Sequence, residues 1–157
     1  MVRLSSSAFE GRTAIPDRYT CEGQNVSPPL DWDGVPDNTK SLVLILDDPD
    51  APNGPFTHWV VYNISPQRNH LPEQFAPSED GVDDIEQGRN DFGQKRYEGP
   101  CPPRGDNAHH YHFRLYALDA DLSLPPGANR DQIFSMIHNH ILGQTELVGT
   151  YERSAGI

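Results

Sequence analysis

Asp48, Asp50 and His58 lie within one short acidic stretch, DDPDAPNGPFTH, and His109 and Tyr111 stand two apart in HHYHFRLYALD. An aspartate beside a histidine is a combination with definite chemistry. The carboxylate fixes the imidazole tautomer and favours its protonated form, and the imidazole then donates to an oxyanion. A tyrosine hydroxyl adds a second donor. Such a set binds a phosphate, sulfate or carboxylate group. The blander alternatives are loop capping and ion pairing for Asp48 and His58, and ordinary core positions with one satisfied polar atom for His109 and Tyr111.

These residues need a frame. Two apolar runs, Leu42–Leu46 and Trp59–Ile64, flank the acidic link, whose prolines and glycine rule out helix. Both runs have strand length and are rich in Leu, Val and Ile. A polar link tethered to core strands at both ends has little freedom to relax, which suits a pre-positioned site. In the first strand Leu42, Leu44, Leu46 and Asp48 share one face while Val43, Ile45 and Asp47 share the other. Both faces are apolar, so the strand is expected to be covered on both sides.

His109 to Asp119 reads as another strand, with His109, Tyr111, Phe113, Leu115 and Ala117 inward and His110, His112, Arg114, Tyr116 and Leu118 outward. His109 and Tyr111 then sit at the polar end of an apolar row, where a pocket rim belongs. His110 and His112 fall on the opposite face and are expected to be exterior. A further edge strand is expected within residues 3–9, and the proline-rich loop that follows enters the core at Leu30 and Trp32. From Ser65 to Gly93 the chain is polar, pinned by Leu71, Phe75, Val82, Ile85 and Phe92, with one short strand around Ile85.

The sequence predicts one helix. Asn129 and Gln132 have capping-box spacing, Ile133, Met136, Ile137 and Ile141 form an apolar stripe, and Gly143 is placed as the stop. His138 and His140 near its end suit the helix dipole. LVGTY, 147–151, follows as a short strand. Several strands, one helix and no βαβ alternation predict a mainly β protein, 1–157 as a single domain: a two-sheet antiparallel β-sandwich with one helix in the C-terminal region packed at its edge.

Twelve Lys and Arg stand against 23 Asp and Glu, a net charge of -11 that argues against a nucleic-acid or anionic-membrane surface. No apolar run approaches the ~20 residues of a membrane span, and MVRLSSSAF has no hydrophobic signal core, so a cytoplasmic location is expected. Cys21 and Cys101 are too few for a disulfide scaffold. Both lie in proline-rich polar loops; unpaired thiols are the expectation, and a bridge across the pocket mouth is the alternative.

DDPDAP with a downstream His-Trp, GPCPP, and His109-x-Tyr111 together resemble the phosphatidylethanolamine-binding protein family, with GQNVSPPLDW, GRNDFG and LVGTYER similar to its prokaryotic branch. The resemblance spans about residues 5 to 153 and implies a two-sheet β-fold with a shallow anion cavity that accepts phosphate-like and phospholipid-headgroup ligands. Matched by position, the cavity carboxylate is Asp48, the histidine after the loop is His58, the wall turn is Cys101, Pro102 and Pro103, and the rim pair is His109 and Tyr111. Asp50 shapes the same loop.

The link before His58 is shorter than in animal members, and the helix that closes over their pocket has no counterpart after Arg153, so inferences about binding a protein kinase or a membrane lipid transfer poorly; no stable membrane insertion is expected. A small-anion binding protein is the first reading, with no cofactor and no stoichiometric zinc. A regulator inhibiting a kinase or serine protease is the second. A metal-assisted hydrolase using Asp48, His58 and His109 is the third, disfavoured because no G-x-S-x-G, H-E-x-x-H or lysine-bearing phosphate loop is present.

Overall fold

Strand β3 (Ser41–Asp48) is buried along its whole length and lies at the centre of the architecture. In a computed structural model of the protein, which describes residues 1–75, 85–125 and 127–154, β3 pairs antiparallel with β4 (Phe56–Ile64) on one side and β7 (His109–Leu118) on the other. Strands β6 (Glu86–Gln87) and β8 (Ile141–Tyr151) complete a five-stranded sheet in the order β6-β4-β3-β7-β8. A smaller antiparallel sheet holds β1 (Arg3–Ser5), β2 (Leu30–Asp33) and β5 (His70–Leu71).

The two faces of β3 feed two separate apolar layers, as its alternation predicts. Leu42, Leu44 and Leu46 join Phe113, Leu115 and Ala117 from β7 and meet Leu4, Leu30, Trp32 and Leu71 of the small sheet. Val43 and Ile45 face the other way with Val60, Tyr62 and Leu118, where Ile133, Ile137 and Leu122 cover them. Burial of both faces explains why the run reads as continuously hydrophobic instead of alternating. At about 1.5–3 kcal/mol for each large apolar side chain taken fully out of water, these layers hold the site-bearing strands rigidly.

The helix α1 (Arg130–Ile137) has the predicted capping box, Asn129 and Gln132 each bonding the other's backbone N–H. It is shorter than the apolar stripe suggests. The chain turns after His138, and Ile141 and Gly143 belong to β8, paired with Leu118 and Ala117. An apolar residue four beyond Ile137 satisfies a helix and a strand start equally well, and the free edge of β7 decides between them. Met136 is 37% exposed, so the buried stripe consists of Ile133 and Ile137. In the polar crossover, Leu71 and Ile85 are core residues and Phe75 packs against the core, but Phe92 is 47% exposed. Val82 lies outside the described residues.

Candidate functional site

The strands flanking the acidic link run further than their apolar cores. Asp48 is the last residue of β3 and His58 the third of β4, so both are strand residues and not loop residues. Their facing depends on a register shift. Leu46 pairs with Trp59 while Asp47 pairs with Thr57, which leaves His58 as the extra residue of a β-bulge. Simple alternation from Trp59, which faces the small sheet, would turn His58 toward the helix. The bulge re-aims it, and its ring meets Tyr111 edge-on with centroids 5.5 Å apart. Thr57 takes the helix-side position, its hydroxyl donating to Asp47 at 2.9 Å.

His109 is bracketed by two carboxylates. Its Nδ1 lies 2.7 Å from Asp48 Oδ2 and its Nε2 lies 3.1 Å from Asp106 Oδ2. Asp48 is buried and also accepts the Asp50 N–H at 2.9 Å, whereas Asp106 is largely exposed on the turn after Pro103. Burial alone would lower the His109 pKa; hydrogen bonds to Asp48 and Asp106 outweigh it and raise the pKa above the ordinary 6.5. The two carboxylates thus favour the protonated ring, in which both N–H groups are engaged.

His58 has the opposite electrostatics. Its Nδ1 is 2.8 Å from the Glu98 carbonyl, so Nδ1 carries the proton. Burial lowers its pKa below 6.5 despite that bond and the nearby charge of Asp48. Tyr111 is fully buried, and its hydroxyl has no hydrogen-bond partner among the described residues. Burial, then the Asp48 charge, pushes its pKa far up and keeps the hydroxyl protonated.

These groups line a cavity of about 190 Å³ bounded by Asp48, His58, Cys101, Pro102, Pro103, His109 and Tyr111, with Ala51, Pro52, Phe56 and Phe92 completing it. All seven positions matched by resemblance converge there. Asp50 does not line it: its carboxylate accepts the His110 N–H and approaches His110 Nδ1, both at 2.8 Å, pinning the β3–β4 link to β7. Sequence reasoning missed the rim aromatics. Phe56, Phe92 and His58 meet edge-on at 4.8 to 5.6 Å. Asn90 holds the loop that carries Phe92, accepting the Phe92 and Gln94 N–H groups and donating to the carbonyls of Arg96 and His58.

Unpaired thiols were the expectation for Cys21 and Cys101; instead they form a disulfide, with Cα atoms 5.4 Å apart. The loops carrying them are already laced together. Cys21 N–H donates to the Pro100 carbonyl at 3.1 Å, and Asn25 accepts the Gly99 N–H and donates to the Glu98 carboxylate, each at 2.8 Å. Both loops are polar, which concealed a tertiary approach across 80 residues of sequence. The cavity wall is thus stapled to the loop of residues 20–29.

His110 is exposed and lies off the cavity with His112, which pairs with Glu146. Among the described residues no group of three or more His, Cys, Asp or Glu side chains is arranged to hold a metal ion, and no described helix is long and apolar enough to cross a membrane.

The comparisons with known proteins agree with this fold. The phosphatidylethanolamine-binding protein family profile matches residues 5–152. The chain is 52% identical over 151 residues to the UPF0098 protein PH1269 of Pyrococcus horikoshii, covering 94% of this chain and 75% of that one. The crystal structure of CT736 from Chlamydia trachomatis, a putative phosphatidylethanolamine-binding protein homolog, superposes with a TM-score of 0.88 at 40% identity over 98% of both chains. Escherichia coli YbcL, described as a member of the mammalian family, gives 0.87 at 32% identity over 96% of this chain and 98% of its own. With the family profile covering nearly its whole length, the chain belongs to the phosphatidylethanolamine-binding protein family.

Proposed function

We propose that the protein binds small phosphate- or carboxylate-bearing ligands in the cavity bounded by Asp48, His58, His109 and Tyr111, and that it works by binding and not by catalysis. The observation that carries this reading is the buried hydroxyl of Tyr111, without a geometric hydrogen-bond partner among the described residues, on a side chain that lines the cavity beside Asp48. A buried donor left unpaired is costly, and an oxyanion entering the cavity would satisfy it. His109, whose protonated form Asp48 and Asp106 favour, lines the same wall.

Among the described residues no lysine or arginine lines the cavity, and two carboxylates offset His109, so affinity is set nearer ~1 mM than ~1 nM. Calorimetric and NMR titrations with phosphate, phosphoethanolamine and acetate test the reading. Resonances of His58, His109 and Tyr111 should move with a common saturation curve, and Tyr111→Phe should weaken binding. A ligand series that perturbs none of the three rings would refute it. A cytoplasmic location belongs to the same proposal, and the Cys21–Cys101 bridge bears on it, since reducing compartments disfavour disulfides except in some hyperthermophiles.

A further inference from the structure

Strand β8 is one outer strand of the five-stranded sheet, and only part of its free edge is covered. Thr150 bonds Thr13 and Ile15, and the Val148 carbonyl accepts the Arg12 N–H, so residues 12–15 run along the C-terminal half. The register with β7 is unbroken from Gly143 to Tyr151, and the N–H and C=O groups of Gln144 and Glu146 therefore point the same way as those of Thr150, away from β7. Among the described residues these groups have no hydrogen-bond partner, and both residues are exposed. Proteins usually blunt such an edge with lysine, proline or shortness. The opposite edge strand, β6, has 2 residues. β8 has 11, with no lysine or proline among them, and its one charge, Glu146, is taken up by His112 and Arg114. The open stretch also stands between two clefts, and Thr145 lines both: one of about 540 Å³ with Arg3, Asp31 and Asp33, the other of about 490 Å³ with Arg114, Tyr116 and Glu146. Asp33 is paired with Arg3, whereas Asp31 has no ion-pair partner among the described residues.

We infer that this edge takes a short extended segment of another protein by strand addition, with a lysine or arginine of that segment opposite Thr145. The segment's main-chain groups pair with those of Gln144 and Glu146. Residues directly opposite in a ladder point to the same face, so the side chain opposite Thr145 enters the cleft that holds Asp31. Its neighbours along the segment enter the other cleft, where Arg114 disfavours further positive charge. Charge selects this occupant over a second copy of the chain. A net charge of -11 draws a cationic segment and repels another copy, and at this edge a second copy offers only Gln144, Thr145 and Glu146, none of which neutralises Asp31.

The experiment is an amide NMR titration of the full chain, at low salt, with a capped heptapeptide of alternating threonine and lysine. The Gln144 and Glu146 amides should shift with one saturation curve, and their hydrogen exchange should slow about tenfold in the complex. Gln144→Pro removes an outward N–H that the β7 ladder does not use and should weaken binding about tenfold, the loss of one hydrogen bond. Asp31→Lys, an exposed change, should weaken it about threefold or more. The same peptide N-methylated along its length has lost its donors and should not bind; if Gln144→Pro does not fold, this peptide stands in its place. Equal binding by Gln144→Pro and the wild type, equal binding of the methylated and plain peptides, or a glutamate-for-lysine peptide binding as tightly overturns the inference. So does a titration that moves neither amide. Peptide-free protein that sediments as a dimer, and as a monomer once Gln144→Pro is introduced, gives the edge to a second copy and overturns it as well.

Discussion

Asp47 and Asp48 are adjacent in β3, yet their carboxylates serve opposite faces of the sheet. Asp47 faces the helix side, where it accepts from Thr57 Oγ1 at 2.9 Å and pairs with Arg130 Nε at 3.0 Å and Arg114 Nη1 at 3.4 Å. Asp48 faces the cavity and holds His109. The period-two geometry of a strand separates a stabilising carboxylate from a site carboxylate one residue apart.

Asp47→Ala should therefore lower stability and leave ligand binding alone. Removing one partner of a fully buried pair costs about 3–5 kcal/mol. Arg114 and Arg130 are each partly solvated, so screening reduces the expected loss to about 2 kcal/mol. Denaturant unfolding should show that loss with an unchanged phosphate dissociation constant. A binding defect without a stability defect would place Asp47 in the site.

Histidine NMR across pH should separate His58 from His109. His109 should titrate above 6.5, held up by Asp48 and Asp106, and His58 below it, depressed by burial. Asp48→Asn keeps an acceptor for His109 but removes a charge that favours both imidazolium forms, so both titrations should shift to lower pH. Two histidines titrating together near 6.5 in the wild type would contradict the bracketed arrangement.

The same shifts set a stability window. His109, raised in the folded state, contributes in full below 6.5 and loses its contribution as pH rises through its folded value. His58, lowered in the folded state, has the reverse sign: its neutral form is favoured above 6.5, and stability falls as pH drops toward its folded value. From these two groups the fold is most stable near pH 6.5. Asp106→Asn should shrink the alkaline loss and spare the acidic one. Unfolding free energies measured from about pH 5 to 9, with no difference between Asp106→Asn and wild type above 6.5, would remove Asp106 from the His109 bracket.

Much of this was legible in the chain because β3, β4 and β7 carry it in Leu, Val and Ile. Runs apolar on both faces announced a covered central sheet, and the alternation from His109 to Ala117 put His109 and Tyr111 on the inner row without any template. The facing of His58 was not legible, because a bulge is a property of pairing between strands and leaves no mark in the periodicity of one of them. The Glu98 carbonyl that fixes the His58 tautomer is main chain, silent in any residue pattern. No pattern singled out Asp106, which closes a turn onto the Pro103 carbonyl, and only the fold brings its carboxylate to His109 Nε2. The helix end failed for the opposite reason: Ile141 fits two periods, and the edge of β7 chose the strand.

The Cys21–Cys101 bridge gives the last prediction. It closes a loop of 80 residues and ties the cavity wall, through Cys101, to the loop of residues 20–29. In the chain-entropy account such a closure stabilises the fold by about 4.5 kcal/mol, with typical measured values of about 2–4. Cys21→Ser should lower the unfolding free energy by an amount in that range, and reductant should lower the melting temperature of the wild type toward that of the variant without affecting the variant. Because Asn25, Gly99 and Glu98 are joined by hydrogen bonds independent of the bridge, the wall should keep its course in the reduced protein. Phosphate binding measured well below the melting temperature should then change by less than about threefold, under 0.7 kcal/mol on the affinity scale. Equal melting curves with and without reductant would show that the bridge contributes nothing, and a collapse of phosphate binding in Cys21→Ser would show that it alone holds the wall.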